Sequence, residues 1–551
     1  MPASFPKASK IRSSIPGVRP GLAALCVLLL LGASLGSRPS GADRCLLTVR
    51  LVDAETGADA PGLIRLVDAD ERLIELPELL SRGEGLEGDL PIHHWRVVPG
   101  NQGVRISVPQ EKLTLTAISG LETEQAQVTL DLTGQPERQI AVPLRRFSQT
   151  AERGWRSANT HLHLMKLTRE QSDRYLSETP RADRLDLLFV SYLERAGADQ
   201  DYITNRYRAA DLQGLAERSG VGLGNGEEHR HNFGPQEEGY GHVMLLNLQQ
   251  LVQPVSIGPG ITKQGTDGLP VQRGIDAARR QGATAVWCHN NWGLEHIPNW
   301  VTGRLDAQNI FDGGSHGSYQ DSFYRLLSAG FRVPFSTGTD WFLYDFSRVY
   351  VPVEGPLTTA AWLKSLAAGR SFITNGPLLE FHVGKLTSGD TLRLANRTQI
   401  EIAAKGTGRA DFGRLELIRN GQVVETTASR AVEGHFESAA RWQIGIDSPC
   451  WLAIRTPPPV SQDTPGAADF PRNELGQMLF SHASPIYVEY AGQPPFDPAA
   501  AQELLEQIER SLAAIEQKGA FANQSERSTV LQVYQEAHQR LKTKIEQSRR
   551  P

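Results

Sequence analysis

An α/β fold of the barrel type, flanked by two small β-sandwiches and followed by a C-terminal helical hairpin, is what this 551-residue sequence predicts. Three observations carry that expectation. From about residue 150 to residue 375, strand-like apolar runs alternate with helical ones, which argues a largely parallel sheet. Several of those runs stop at a side chain of metal-ligand type, the way an α/β barrel presents chemistry at the carboxyl ends of its strands. On both sides the text changes to short alternating runs separated by turns, the pattern of antiparallel sandwiches.

Residues 1–42 read as an export signal. Lys7, Lys10, Arg12 and Arg19 precede an apolar run at 21–35, and small residues follow through Ala42. A spanning helix needs roughly 20 apolar residues, so the run suits a cleaved signal, with retention as an N-terminal anchor the rival. The expected location is therefore periplasmic or extracellular, with no stable membrane insertion after cleavage. Cys45, Cys288 and Cys450 remain, an odd and widely spaced set that is no disulfide framework. A net charge of −5 offers no basic face, which excludes nucleic acid as a partner. A small-molecule substrate is expected, and no protein partner is legible.

Residues 43–147 form the first sandwich, with LLTVRLVD, RISV and QVTLDL as strands. His93 and His94 fall there without converging acidic groups and read as loop histidines. Residues 148–376 are the barrel. Residues 377–492 return to β text, where Asn420-Gly421 between alternating runs marks a hairpin. In 493–551, Asp497 caps and Pro498 opens a helix whose Leu504, Leu505, Ile508, Leu512 and Ile515 share a face. Val530, Val533, Tyr534, Ala537, Leu541 and Ile545 repeat the pattern in a second helix.

The chemistry gathers in the barrel. Residues 158–165 read ANTHLHLM, so in an extended strand His161 and His163 face one side and reach one metal ion. Glu227 and Glu228, His242, His289 and Asp340 each sit at a strand edge. Imidazoles with one or two carboxylates suit zinc, manganese or iron, and six ligands suffice for one or two divalent ions. Which of Glu227 and Glu228 belongs to the set is open from spacing alone. His229 and His231 complete an EEHRH stretch and serve as supporting hydrogen-bond partners. Asn290 and Arg348 are candidates to hold an oxyanion, and His296 and His316 are loop histidines within reach of the mouth. No P-loop is present.

The same residues carry a resemblance. THLHL, the GEE at 226–228, GHVMLLNL from 241, CHNNWG from 288 and STGTDW from 336 resemble the successive metal motifs of the polymerase and histidinol phosphatase (PHP) superfamily. The block GRSFITNGP at 369–377 and HASPIYV from 482 are similar to its CehA/McbA branch of metallohydrolases. The resemblance implies a distorted PHP-type barrel and a secreted hydrolase that uses a metal-activated water on a carbamate, ester or amide carbonyl. It implies His161, His163, Glu228, His242, His289 and Asp340 as ligands, with Asp340 and His289 catalytic. Two motif positions depart. Residues 186–195 read DLLFVSYLER where Thr-Asp-His is usual, leaving Glu194 as the substitute, and Phe342 replaces a histidine two residues after Asp340. A PHP-type phosphoesterase and an inactive secreted binding protein are the alternatives. If the barrel is self-sufficient, deleting 44–147 leaves metal and some turnover intact.

Overall fold

The computed structural model describes residues 43–194, 202–234, 237–262, 265–314, 317–461 and 463–549. The segment read as an export signal and His316 lie outside the described residues. Among the described residues no helix is long and apolar enough to cross a membrane. The fold is mixed α/β, with many strands gathered into sheets.

Residues 44–144 make two sheets. One holds Val104–Pro109, Arg44–Asp53 and Glu137–Leu144 in that order. The other holds Arg96–Val98, Gly62–Val67, Lys112–Ile118 and Ala126–Asp131. Strand alternation sends Cys45, Leu47, Val49 and Leu51 inward from the first sheet. There they join Ile64, Leu66, Leu115 and Leu130 of the second in one apolar cluster.

The central row begins with β1 (Trp155–His163), β2 (Leu187–Tyr192) and β3 (Gly222–His231), all parallel. Next come β4 (Gly241–Leu246) and β5 (Thr284–Trp287), and then β6 (Ala307–Asn309) and β7 (Phe335–Ser336). The row is mixed rather than largely parallel, because β4 runs antiparallel to both β3 and β5. The chain between β3 and β4 is too short for a crossover helix, so β4 must turn back beside β3. Strand β8 (Asp340–Trp341) lies parallel to β1, and β9 (Arg348–Pro352) lies antiparallel to it. The segment after β7 also bonds to β1, through Thr339 N–H to His161 O at 3.1 Å and Thr160 Oγ1 to Thr337 O at 2.9 Å.

Helices α1 (Arg169–Ala182), α2 (Ala209–Ser219) and α3 (Val271–Arg279) connect the strands. Thr168 starts α1 with a reciprocal cap: its hydroxyl accepts from Gln171 N–H at 3.2 Å, and the Gln171 side chain accepts from Thr168 N–H at 2.9 Å. Gly220 ends α2 at φ +73°, a left-handed position suited to glycine.

Hydrogen bonding continues across residue 376. Strand β10 (Phe372–Thr374) pairs with β9 on one side and with Ser481–Ala483 on the other, so later strands extend the central sheet. The Asn420-Gly421 turn joins Arg414–Arg419 to Gln422–Ala428, with φ of +49° and +83° at its two residues. Helices α4 (Pro498–Lys518) and α5 (Gln524–Ser548) pack their apolar faces onto the central core, and Leu504, Ile508, Tyr534 and Leu541 join its main cluster. Lys544 Nζ donates to the carbonyls of Ala329 and Gly330, both at 3.0 Å.

The first two sheets are tied to the centre by a buried cation. Arg82 is fully buried, pairs with Asp183 through bonds of 2.6 and 3.1 Å, and donates to the Leu343 carbonyl. Gly85 lies against the Phe342 ring, and Glu87 pairs with Lys166 at 2.6 Å. Both contacts fall on the loops that follow Asp340 and His163.

Candidate metal centre

Side chains from the end of β1, from within β3, from the starts of β4 and β8 and from the residue after Cys288, which follows β5, converge on one place. His161 Nε2 and His163 Nε2 are 3.1 Å apart. Glu228 Oε2 lies 3.1 Å from His163 Nε2, and Asp340 Oδ1 lies 3.3 Å from His161 Nε2. The remaining cross distances, His161 to Glu228 and His163 to Asp340, are each 3.8 Å. Bonds of about 2.0–2.1 Å in a tetrahedral zinc site place ligand atoms about 3.3–3.4 Å apart, and these four atoms bracket that spacing. The four buried residues could hold a metal ion.

A second grouping shares Glu228. Its other oxygen, Oε1, is 2.8 Å from His242 Nδ1 and 3.6 Å from His289 Nε2. Glu228 Oε1, His242 Nδ1 and Asp340 Oδ1 are buried without a hydrogen-bond partner. Polar atoms left so cost roughly 1–3 kcal/mol each, and cations held by the two groupings would satisfy them.

Groups behind the ligands fix which nitrogen faces inward. Asp312 Oδ2 accepts from His161 Nδ1 at 2.9 Å, the Ser191 carbonyl accepts from His163 Nδ1 at 3.0 Å, and Asn232 Oδ1 accepts from His242 Nε2 at 2.9 Å. Each bond places the proton on the outer nitrogen and leaves the inner lone pair for a cation. Asp312 also accepts the His289 N–H at 3.0 Å. Burial pushes the Asp312 carboxyl up, but His289 and His161 outweigh it and hold it down at about 2. Burial, with Arg230 beside it, holds His242 well below its ordinary value, so it stays neutral. Burial pushes Glu228 up, but the Arg230 guanidinium leads the groups that outweigh it and hold Glu228 well below the usual carboxylate range.

Strand alternation in β3 separates the residues of the EEHRH stretch. Glu228, Arg230 and Asn232 face the cluster, whereas Glu227, His229 and His231 face the opposite side. There Glu227 accepts from Val252 N–H at 2.7 Å and meets His229 Nδ1 at 3.0 Å. His231 stacks on Tyr240 at 3.8 Å and bonds Asp267 at 3.0 Å. These three support the core rather than the site.

Other expectations fall away from the cluster. Glu194 bonds Tyr192 Oη at 3.1 Å and belongs to neither ligand grouping. Asn290 Oδ1 accepts from Phe311 N–H at 3.1 Å, bracing the loop after His289. Arg348 is fully buried and donates to the carbonyls of Phe346 and Asp183 at 2.9 and 2.7 Å, so it holds no oxyanion here. His296 is buried in a short helix and bonds Gln308 at 2.8 Å, not the mouth.

No family model, curated protein or solved structure matches this chain.

Cys288, His161 and Asp312 also lie together. The His161 nitrogen on that side is already bonded to Asp312, and burial pushes the Cys288 thiol up to about 12, so this grouping is support rather than a cation site. The cluster opens toward His289, whose side chain is 19 % exposed against 8 % for Asp340 and 0 % for His161 and His163. Trp292 stands edge-on to His242 at 4.3 Å, and Trp341 lies 5.5 Å from His163; both are half-buried.

Asp312 and Asn232 are the functional residues that sequence reasoning passed over. Asp312 had a signal of the right form, since an apolar run ends at it in NIFDGG. Asn232 had none beyond sharing a strand face with Glu228.

Proposed function

We propose that this protein is a secreted metal-dependent hydrolase, built on a distorted PHP-type barrel, that directs water at the carbonyl carbon of a carbamate, ester or amide. One observation carries the reading: both oxygens of Glu228 serve separate groups of ligand atoms, and three atoms across those groups have no hydrogen-bond partner. That division favours two divalent ions of zinc, manganese or iron sharing Glu228. A divalent ion bound here supplies Lewis acidity and brings the pKa of water toward about 7.

The chain's own residues do the rest. His161, His163, Asp340 and Glu228 hold one position, and His242, His289 and Glu228 the other. Asp312, the Ser191 carbonyl and Asn232 keep the imidazoles aimed. Asp340, next to the open side, takes the proton of the attacking water and returns it to the leaving group. Trp292 and Trp341 narrow the mouth around an uncharged substrate body.

The test is elemental analysis of the protein lacking residues 1–42, with aryl carbamate, aryl ester and phosphoester probes assayed on the same preparation. About two equivalents of metal with carbonyl cleavage is the expected result. Phosphoester cleavage alone would move the substrate class, and absence of both metal and turnover would favour a binding protein.

A further inference from the structure

Arg230 is the unused charge of the site. It follows Glu228 by two residues on the same face of β3, and its side chain is only 9 % exposed. Among the described residues it is the one arginine or lysine that pairs with a carboxylate of the two ligand groupings within 4 Å. Its Nη1 lies 3.4 and 3.5 Å from the two Glu228 oxygens, and its Nε has no hydrogen-bond partner. Charge-assisted bonds run at about 2.7–2.9 Å, so this guanidinium is loosely held. The contrast with Arg82 and Arg455 is plain: they are buried or nearly so and sit 2.6 and 2.8 Å from their carboxylates.

Charge counting shows what the arrangement lacks. Glu228, Asp340 and Asp312 supply three negative charges, while two divalent ions and Arg230 supply five positive ones. With the Glu228 oxygens directed to the ligand groups, Arg230 becomes a buried cation without a counter-ion, which is costly until an anion arrives. Of the two candidates read from the sequence, Arg348 is buried against the Phe346 and Asp183 carbonyls, and Asn290 Oδ1 braces the Phe311 N–H.

We propose that Arg230 is a catalytic residue that binds the oxyanion formed at the substrate carbonyl, and afterwards the carboxylate product. The inference rests on the hydrolase reading. Water's oxygen lone pair forms a bond to the carbonyl carbon, the C=O π pair moves onto oxygen, and the water proton passes to Asp340. The new O⁻ lies against the Arg230 N–H groups. Its electron pair then re-forms C=O while the bond to the alcohol, phenol or amine breaks, that group leaves with the proton from Asp340, and the acid formed releases its remaining proton to solvent to give the carboxylate. Donors aimed at the oxyanion rather than the neutral carbonyl act mainly on kcat.

Arg230→Met and Arg230→Lys test this with three readouts: metal content, the kcat and KM of aryl ester hydrolysis, and calorimetric binding of methylphosphonate to the metal-loaded protein. Arg230→Met should keep its metal, lose kcat by about 10²–10³-fold with little change in KM, and lose methylphosphonate binding, as for one oxyanion donor. Arg230→Lys should recover part of both. Unchanged kcat and methylphosphonate binding in a metal-replete Arg230→Met would overturn the assignment. Loss of metal in both variants would also overturn it, since Arg230 would then only support Glu228. If the parent holds metal but cleaves no probe, the hydrolase reading fails, while methylphosphonate binding still reports on Arg230.

Discussion

Asp312 Oδ2 accepts the Nδ1 proton of His161 at 2.9 Å. The same carboxylate takes the backbone N–H of His289, so one buried acid orients two of the ligand residues. Asp312→Asn should keep the fold and weaken metal binding by about 10–100-fold, the usual effect of removing a carboxylate behind a ligand histidine. Competition with a chelator of known affinity measures this. An unchanged dissociation constant would show that Asp312 is dispensable.

Arg82 makes the first β-unit part of the centre's support. Its guanidinium joins Asp183 to the Leu343 carbonyl, three residues after Asp340. Arg82→Met leaves Asp183 buried and unpaired and should cost about 3–5 kcal/mol in urea unfolding. Deleting residues 44–147 should cost metal as well, the reverse of what the sequence led us to expect. A truncated protein that binds metal with parental affinity would refute this.

Glu295 gives stability a pH dependence away from the metal centre. Its carboxylate is fully buried and accepts from the Val271 and Gln272 N–H groups at 3.0 and 2.8 Å at the start of α3. Burial pushes it up to about 7, against the downward pull of those bonds. Between its unfolded value near 4.5 and about 7, the unfolded chain has released the proton and the folded one keeps it. Stability from this group is therefore full below about 4.5, falls as pH rises to about 7, and is flat above. Glu295→Gln should flatten that segment of the urea midpoint against pH, and parallel curves for parent and variant would count against it.

The two faces of β3 should separate in mutagenesis. His242→Gln should lose metal, because His242 Nδ1 lies with Glu228 in the second ligand grouping. His229→Gln should keep the parental metal content while losing stability, because His229 packs against Gly274 of α3 and bonds Glu227 on the far side. Elemental analysis of both proteins decides it, and equal metal loss would mean that the faces are misassigned.

Much of this was legible in one dimension because the signals are local. The two-residue spacing of His161 and His163 works in any extended strand. The Asn420-Gly421 turn needs only two left-handed residues, and the Asp497-Pro498 start of α4 needs only its own first turn. Alternation also limited which of Glu227 and Glu228 stands with His229 and His231, but not which face is inward.

Facing and partnership belong to the tertiary structure. The sequence by itself determined an α/β chain with imidazoles and carboxylates at the edges of its strands. It did not determine that β4 runs back beside β3, that Arg348 and the Asn290 side-chain oxygen meet backbone groups, that Asp312 reaches His161 across 151 residues, or that Arg82 reaches Leu343, on the loop after Asp340, across 261. The reason is physical: a strand's period fixes which residues share a side, whereas the side that is buried, and what meets each polar atom there, depends on distant segments desolvating one another.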